Sequence, residues 1–314
     1  MKLFSIIFST IIVTLISACD SSSEQKQYST PTSGEMTIYA DETFKPVLDA
    51  EIAVFEALYT QAKVNVIYKS ETDALNDLLK DSVEIIISTR PLSEKENKFM
   101  NNKTLFPKSV KIAYDAVALI VNKDNPISYI TNHNFQSILT GEIKTWNELD
   151  ANLKNEDVNL VFDNKNSSTV RYVLDAICKD KKLASQHMAV ETNPQVIESV
   201  TKDINKIGVI GVSWISDMSD STKLSFLNSV KVLAVSNQTT AEESNSYLPF
   251  QAYMYTKDYP FVREVYVINA EPRSGLATGF TSFLASDRGQ RIILKSGILP
   301  ATQPYRIVQV TDKF

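Results

Sequence analysis

MTIYADETFKPVLDAEIAVFEALYTQAKVNVIYKSETDALNDLLKDSVEIIISTR, residues 36–90, changes its hydrophobic period from segment to segment. MTIYA has the length and composition of a short strand. From Thr43 to Tyr59 the apolar residues Val47, Ile52, Phe55 and Leu58 recur at helical spacing. KVNVIY again reads as a strand, TDALNDLLK as a helix, and VEIIIST as a strand apolar almost throughout, as central parallel strands are. Strand, helix, strand, helix, strand predicts an α/β sheet with crossover helices.

Outward from this stretch the alternation continues. SVKIAYDAVALIVNKDNP (109–126) is a long extended run with Asp115 near its middle, long enough to pass from one lobe to another. Phe135–Leu139, Gly141 and Trp146 mark a helix, a turn and a second short helix. VNLVFDN reads as a strand, Thr169–Cys178 as a helix, and KIGVIGVSWI as a glycine-containing strand. VKVLAVS and YLPFQAYMYTK are further strand candidates, and YPFVREVYVI is extended. GLATGFTSFLASDRGQRIILKSG reads as a helix pair with a glycine stop. No internal repeat is evident.

At 314 residues the chain is long for one simple domain, and two domains or one two-lobed unit is the expectation. A net charge of −5, with no long basic cluster, argues against nucleic acid as a partner, because a phosphate backbone demands a basic face. A small anion is not excluded, since a local site can oppose the global sign. His133 and His187 are the two histidines, and Cys19 and Cys178 the two cysteines; none stands at metal-ligand spacing with another. The sequence therefore calls for no metal and no cofactor, and it argues against a hydrolase that uses a histidine base. A phosphatase is the disfavoured alternative.

MKLFSIIFSTIIVTLISACDSSS opens with Lys2 and an apolar run from Leu3 to Ala18, shorter than the roughly 20 residues that span a bilayer. Small residues lead directly into Cys19. The segment resembles a bacterial lipoprotein signal peptide with its lipobox, in which Cys19 is the lipidated residue and residues 1–19 the signal. Residues 20–35, rich in Ser, Thr and Gln, read as a tether. The expectation is a cell-envelope protein, periplasmic or surface-facing, held to the membrane only by lipid. Cys178 then stands alone and reads as a small buried hydrophobe.

Polar clusters recur just after strands and at or before helices, where ligands bind in open α/β sheets. In DNKNSSTVRYVLD (163–175), Ser167, Ser168 and Thr169 precede a helix and Arg171 follows two residues on. Unpaired helix N–H groups, hydroxyls and a guanidinium suit a tetrahedral oxyanion, although Ser and Thr are also ordinary N-caps. Ser88, Thr89 and Arg90 follow the buried strand; Arg90 can equally make a surface salt bridge. Thr43 and Ser70 follow the first and second strands. A carboxylate beside an anion repels it unless a proton lies between them. Asp41, Glu42, Glu71 and Asp115 are all candidates for that acceptor, and the sequence does not choose among them.

FQSILTGEIKTWNEL (135–149), IGVIGVSWI, YPFVREVYVI and FLASDRGQRIILKSGILPA occur in the order seen in the phosphate-binding proteins of bacterial ABC transporters, and the chain from about Met36 onward resembles that family. The resemblance implies a type II periplasmic-binding-protein fold: two α/β lobes, each a mixed sheet flanked by helices, joined by a two-strand hinge. Residues 36–115 with 260–314 would form one lobe and 116–259 the other. It implies capture of phosphate or a similar oxyanion between the lobes, delivery to an ABC permease, and a monomer. The family's Ser-Gly-Thr loop falls on Ser167, Ser168 and Thr169, its Ser-Ser-Arg on Ser88, Thr89 and Arg90, and its first loop matches at Thr43 alone, with the second near Ser70. Ser168 replaces a glycine, and the family's arginine beside that loop has only the displaced Arg171 as counterpart. These departures leave open another oxyanion, a small molecule bearing phosphate or carboxylate, or a surface sensor or adhesion lipoprotein of the same fold.

Overall fold

The computed structural model describes residues 29–179, 181–216 and 227–302. The expected signal segment, Cys19 and most of the tether lie outside the described residues.

The stretch 36–90 builds one side of a mixed sheet. Strand β1 (Ser33–Ala40) pairs in parallel with β2 (Gln61–Tyr68) and with β3 (Ile85–Ser88). Helix α1 (Lys45–Leu58) connects β1 to β2, and α2 (Glu71–Leu79) connects β2 to β3. All residues of β3 are buried, which is why the strand lacks alternation. Helix α3 (Glu94–Asn102), which the sequence reading does not include, follows with Ser93 as its cap.

Strand β4 (Lys108–Asn122) carries the chain from one half of the sheet to the other. Up to Ala116 it pairs antiparallel with β11 (Val262–Asn269), which also pairs with β3. From Val117 it pairs antiparallel with β8 (Lys206–Gly211) instead. Beyond β8 lie β6 (Asn159–Phe162) and β7 (Met188–Ala189), both in parallel pairings, and β9 (Val230–Val232) pairs with the end of β4. The order is β2-β1-β3-β11-β4-β8-β6-β7. Asp115 thus sits where β4 changes partner. The part of the sheet on β1–β3 and β11 is one lobe, and the part on β8, β6 and β7 the other. A separate two-stranded sheet joins β5 (Tyr129–Thr131) to β10 (Ala234–Ser236), and β12 (Leu299–Pro300) pairs with β4.

The GEIKTW segment has a local explanation. Helix α4 (Asn132–Thr140) starts on the Thr131 hydroxyl, which accepts from Asn134 N–H at 2.9 Å. It stops at Gly141, whose φ of 75° is the left-handed conformation glycine adopts without strain. A short helix α5 (Trp146–Leu149) restarts at Thr145, whose N–H donates to Glu148 at 3.2 Å in a capping box.

Next come α6 (Ser168–Tyr172), which widens into a π-helical turn over Val173–Cys178, and α7 (Asn193–Lys202). Cys178 is buried, its place as a small hydrophobe. YLPFQAYMYTK departs from the sequence reading: it holds α8 (Gln251–Thr256), a helix, where a strand is expected. Its aromatics suit a strand, but tertiary contacts decide. The Gln251 amide donates to Leu294 O at 2.7 Å and Ile298 O at 2.9 Å, and Met254 faces the core. Helices α9 (Leu276–Ala285) and α10 (Asp287–Lys295) are the expected pair, ending near Gly297 at φ 84°. No helix among the described residues is long and apolar enough to cross a membrane.

Candidate functional site

Strand ends from both lobes converge where β4 changes partner. In the second lobe β6 ends at Phe162 and Asp163 begins a turn. The Ser167 hydroxyl accepts from Val170 N–H at 3.2 Å as the α6 cap and donates to Asp163 Oδ1 at 2.5 Å. Ser168 and Thr169 follow, both fully buried. In the first lobe β1 ends at Ala40, and the next residue, Asp41, bends the chain into a tight turn by accepting from Thr43 N–H at 3.0 Å.

The two turns meet. Asp41 Oδ2 accepts from the Ser168 N–H at 2.7 Å, and the Thr43 hydroxyl donates to Asp163 Oδ2 at 3.4 Å. Ser213 donates to Thr43 O at 3.2 Å. Glu42 turns away to the start of α7, accepting from Asn193 N–H at 2.9 Å and from its amide at 3.0 Å. That is a capping role for a carboxylate at a helix N-terminus.

A second cluster lies alongside. Glu71, 1% exposed, accepts from the Ser88 hydroxyl at 3.0 Å, the Thr89 hydroxyl at 2.8 Å and the Thr89 N–H. Its other oxygen accepts from Arg171 Nε, and Arg171 also donates to Thr89. Burial works against the Glu71 charge, but Arg171 and the Thr89 donors outweigh it and hold the carboxyl below its ordinary range. Arg171 is therefore tied across the cleft to α2, and to Asp175 on its own helix at 2.9 Å.

Arg90 does not join these groups. Its guanidinium forks onto Glu96 at 2.7 and 2.8 Å and reaches Pro91 O at 3.0 Å. Glu96 belongs to the α3 capping box, so Arg90 locks a helix start at a partly exposed surface. This is the salt-bridge alternative named from the sequence. Ser70 caps α2, accepting from Asp73 N–H at 3.2 Å and donating to Asp73 at 2.6 Å.

At the centre is a residue the sequence reading passes over. Arg263, 4% exposed on β11, grips Asp115 Oδ2 through Nε at 2.9 Å and Nη2 at 2.8 Å. Its Nη1 lies 3.2 Å from Ser168 Oγ and 3.4 Å from Thr169 Oγ1. Burial opposes the cation, but Asp115 beside it more than offsets this and the guanidinium stays charged. An arginine within the alternating run FVREVYVI was the available signal: such a residue must be paired or functional. Asp115 Oδ1 has no protein partner. Gly211 closes the wall: a Cβ there would lie 2.5 Å from Thr43 Cγ2 and 3.6 Å from both Arg263 and Asp115.

Beside Asp41 opens a cavity of about 210 Å³ lined by Asp41, Glu42, Asp163, Glu191, Ser70 and Ser167, among others. Lys69 is also at its wall, but its ammonium is committed to Asp77 at 2.7 Å and lies over the Tyr39 ring. Burial, then the negative Asp41, push the Asp163 carboxyl up to about 7. Among the described residues no group of three or more His, Cys, Asp or Glu is placed to hold a metal ion.

Of the nominated residues, the structure brings Thr43, Ser167, Ser168, Thr169 and Asp115 into one cluster, and Ser88, Thr89 and Arg171 into the adjoining one. Ser70 borders the cavity, while Glu42 and Arg90 serve helix starts.

Comparison with known proteins agrees with this architecture. A family model described as a PBP superfamily domain matches residues 25–288. The Borreliella burgdorferi phosphate-binding protein PstS is 26% identical over 274 residues, covering 84% of this chain and 89% of that protein. The Pseudomonas aeruginosa phosphate-binding protein PstS is 22% identical over 303 residues, covering 91% and 88%. Among solved structures, a Clostridium perfringens substrate-binding protein with bound phosphate superimposes with a TM-score of 0.72 at 21% identity, over 85% of this chain and 99% of that one. An ABC-type phosphate transport receptor from Vibrio cholerae gives 0.62 at 17%, over 85% and 100%. At those identities the structures speak for the fold alone. With the family model covering most of its length and the lobes meeting at a shared polar cleft, the chain belongs to the PBP superfamily.

Proposed function

We propose that the protein is an extracytoplasmic solute-binding protein that captures an oxyanion, inorganic phosphate first, between its lobes and delivers it to an ABC importer without covalent chemistry. The observation that carries this reading is the convergence of buried donors from both lobes. Thr43 comes from the first lobe, Ser167, Ser168 and Thr169 from the second, and Arg263 from the strand that pairs with β4. Relatives that align over most of their length are named phosphate-binding proteins. The donors of Thr43, Ser168 and Arg263 are held by carboxylates of the chain, and an oxyanion presents the same kind of acceptor to them. The unpartnered Asp115 oxygen supports its role as acceptor of a ligand proton. Capture proceeds by hinge closure about β4 and β11, and the closed monomer docks on the permease. Lipidation at Cys19 would keep it at the membrane surface.

A second reading has its own support. The carboxylates around the 210 Å³ cavity favour a solute richer in hydrogen-bond donors, or a protonated oxyanion, over a full dianion. Calorimetric titration separates the two. Phosphate binding that exceeds sulfate binding supports the proposal. No heat with phosphate, arsenate, sulfate or molybdate would remove it.

A further inference from the structure

The groups that would grip an oxyanion are already bonded to carboxylates of the chain. Asp41, 1% exposed, accepts from Thr43 N–H and Ser168 N–H at 3.0 and 2.7 Å, one donor from each lobe. Glu71, equally buried, accepts from Ser88, from both donors of Thr89 and from Arg171 of the opposite lobe. A carboxylate offers two oxygens on one carbon, much as an oxyanion offers two on its central atom. N–H and guanidinium donors are satisfied by either, and charge assistance makes such bonds strong.

We infer that Asp41 and Glu71 are built-in occupants of the oxyanion seat, and that they set both the closure of the lobes and the threshold an anion must overcome to bind. This rests on the oxyanion reading only for the identity of what is displaced. An arriving anion must take Thr43 N–H and Ser168 N–H from Asp41, and the released carboxylate then stands beside it. The cations beside these groups are already committed: Arg263 is held by Asp115, Arg171 by Glu71 and Asp175, and Lys69 by Asp77. Asp163 adds a further carboxylate on the cavity wall. The carboxylates thus act as specificity-determining residues. They reject weakly held dianions and keep the lobes engaged through Asp41–Ser168 and Glu71–Arg171.

The experiment compares the full chain with Asp41→Asn and Glu71→Gln, each dialysed free of anion and then titrated with inorganic phosphate. Hydrogen exchange follows the amides of Thr43, Thr89 and Ser168. In the unsubstituted chain these amides should be protected to the same degree with and without phosphate. In Asp41→Asn, Thr43 and Ser168 should exchange at least tenfold faster without phosphate and recover with it, and phosphate should bind at least tenfold more tightly. Glu71→Gln should do the same at Thr89. Slow exchange in the unsubstituted chain appearing only with phosphate, or phosphate binding weakened by Asp41→Asn, would overturn the inference and leave phosphate capture standing. If neither chain binds phosphate, the phosphate reading fails, and the exchange rates alone decide: faster exchange in the variants upholds the built-in occupants, unchanged rates reject them. Circular dichroism melts confirm that each variant is folded, with Asp41→Ser as the second test at that position.

Discussion

Arg263 shows how much one side chain can organise. It links Asp115 at the strand crossing to the hydroxyls of Ser168 and Thr169. Removing one member of a buried, hydrogen-bonded ion pair costs about 3–5 kcal/mol, because the other charge is left uncompensated. Arg263→Ala should therefore lower stability by that order and abolish anion binding, whereas Asp115→Asn with Arg263→Met should recover much of the stability without the binding. Chemical denaturation with calorimetry checks both. Glu51 is a different case. It is fully buried on α1, with neither oxygen partnered, and burial pushes its carboxyl up to about 9. The unfolded chain releases this proton near 4.5 and the folded chain near 9. Its contribution is therefore fully present below the lower value and is lost as pH rises toward the upper one. Glu51→Gln should match the natural chain near pH 4 and exceed it at pH 8 by a few kcal/mol, on the order set by linkage. Melting temperatures across pH 4–9 would show it; parallel curves for both chains would sink the assignment.

Among the elements, β8 and α3 carry consequences that their sequences only partly announce. Gly211 ends β8 against Thr43, and a methyl group there would meet Thr43 Cγ2 at 2.5 Å. Gly211→Ala should hold the lobes apart, weakening anion affinity by about tenfold or more while costing about 1–3 kcal/mol of stability from overpacking. A binding titration beside a melt checks that the first effect is the larger in kind: affinity falls even where folding is intact. At α3 the expectation reverses. Because Arg90 is committed to Glu96 in a partly exposed capping box, Arg90→Ala should cost about 1 kcal/mol or less and leave phosphate affinity within about twofold. A large loss of affinity would place Arg90 among the ligand donors. The helix α8 teaches the complementary point: Gln251 and Met254 fix it against α10 and β12, and neither contact is visible in the local pattern.

For the whole molecule, the lobes are coupled through charges that titrate. Asp163 is pushed up to about 7 by burial and by Asp41, so it sheds its proton in the folded protein near neutrality and in the unfolded chain well below that. Its stabilising contribution is lost as pH rises through 7, and the cleft becomes more negative over the same range. Phosphate itself titrates in this window, so the informative quantity is a ratio. Asp163→Asn should gain affinity over the natural chain by severalfold at pH 8 and by much less at pH 6. Titrations at the two pH values test this; equal ratios would show that Asp163 keeps one charge state throughout.

The local sequence by itself determined the elements that build the sheet and the places where polar residues leave it. Period and composition are short-range properties, so β1, α1, β2, α2 and β3 were legible, as were the Gly141 stop and the polar turn at 163–169. Loop position after a strand also placed Thr43, Ser88, Thr89 and the Ser167–Thr169 run near one cleft. Only the tertiary structure decided which of these groups answer one another. Arg263 lies far along the chain from Asp115 and Ser168, and Glu71 from Arg171, so their pairing depends on the strand order and on where β4 changes partner. The sign of a site is a sum over groups brought within a few ångströms, and no local window contains that sum.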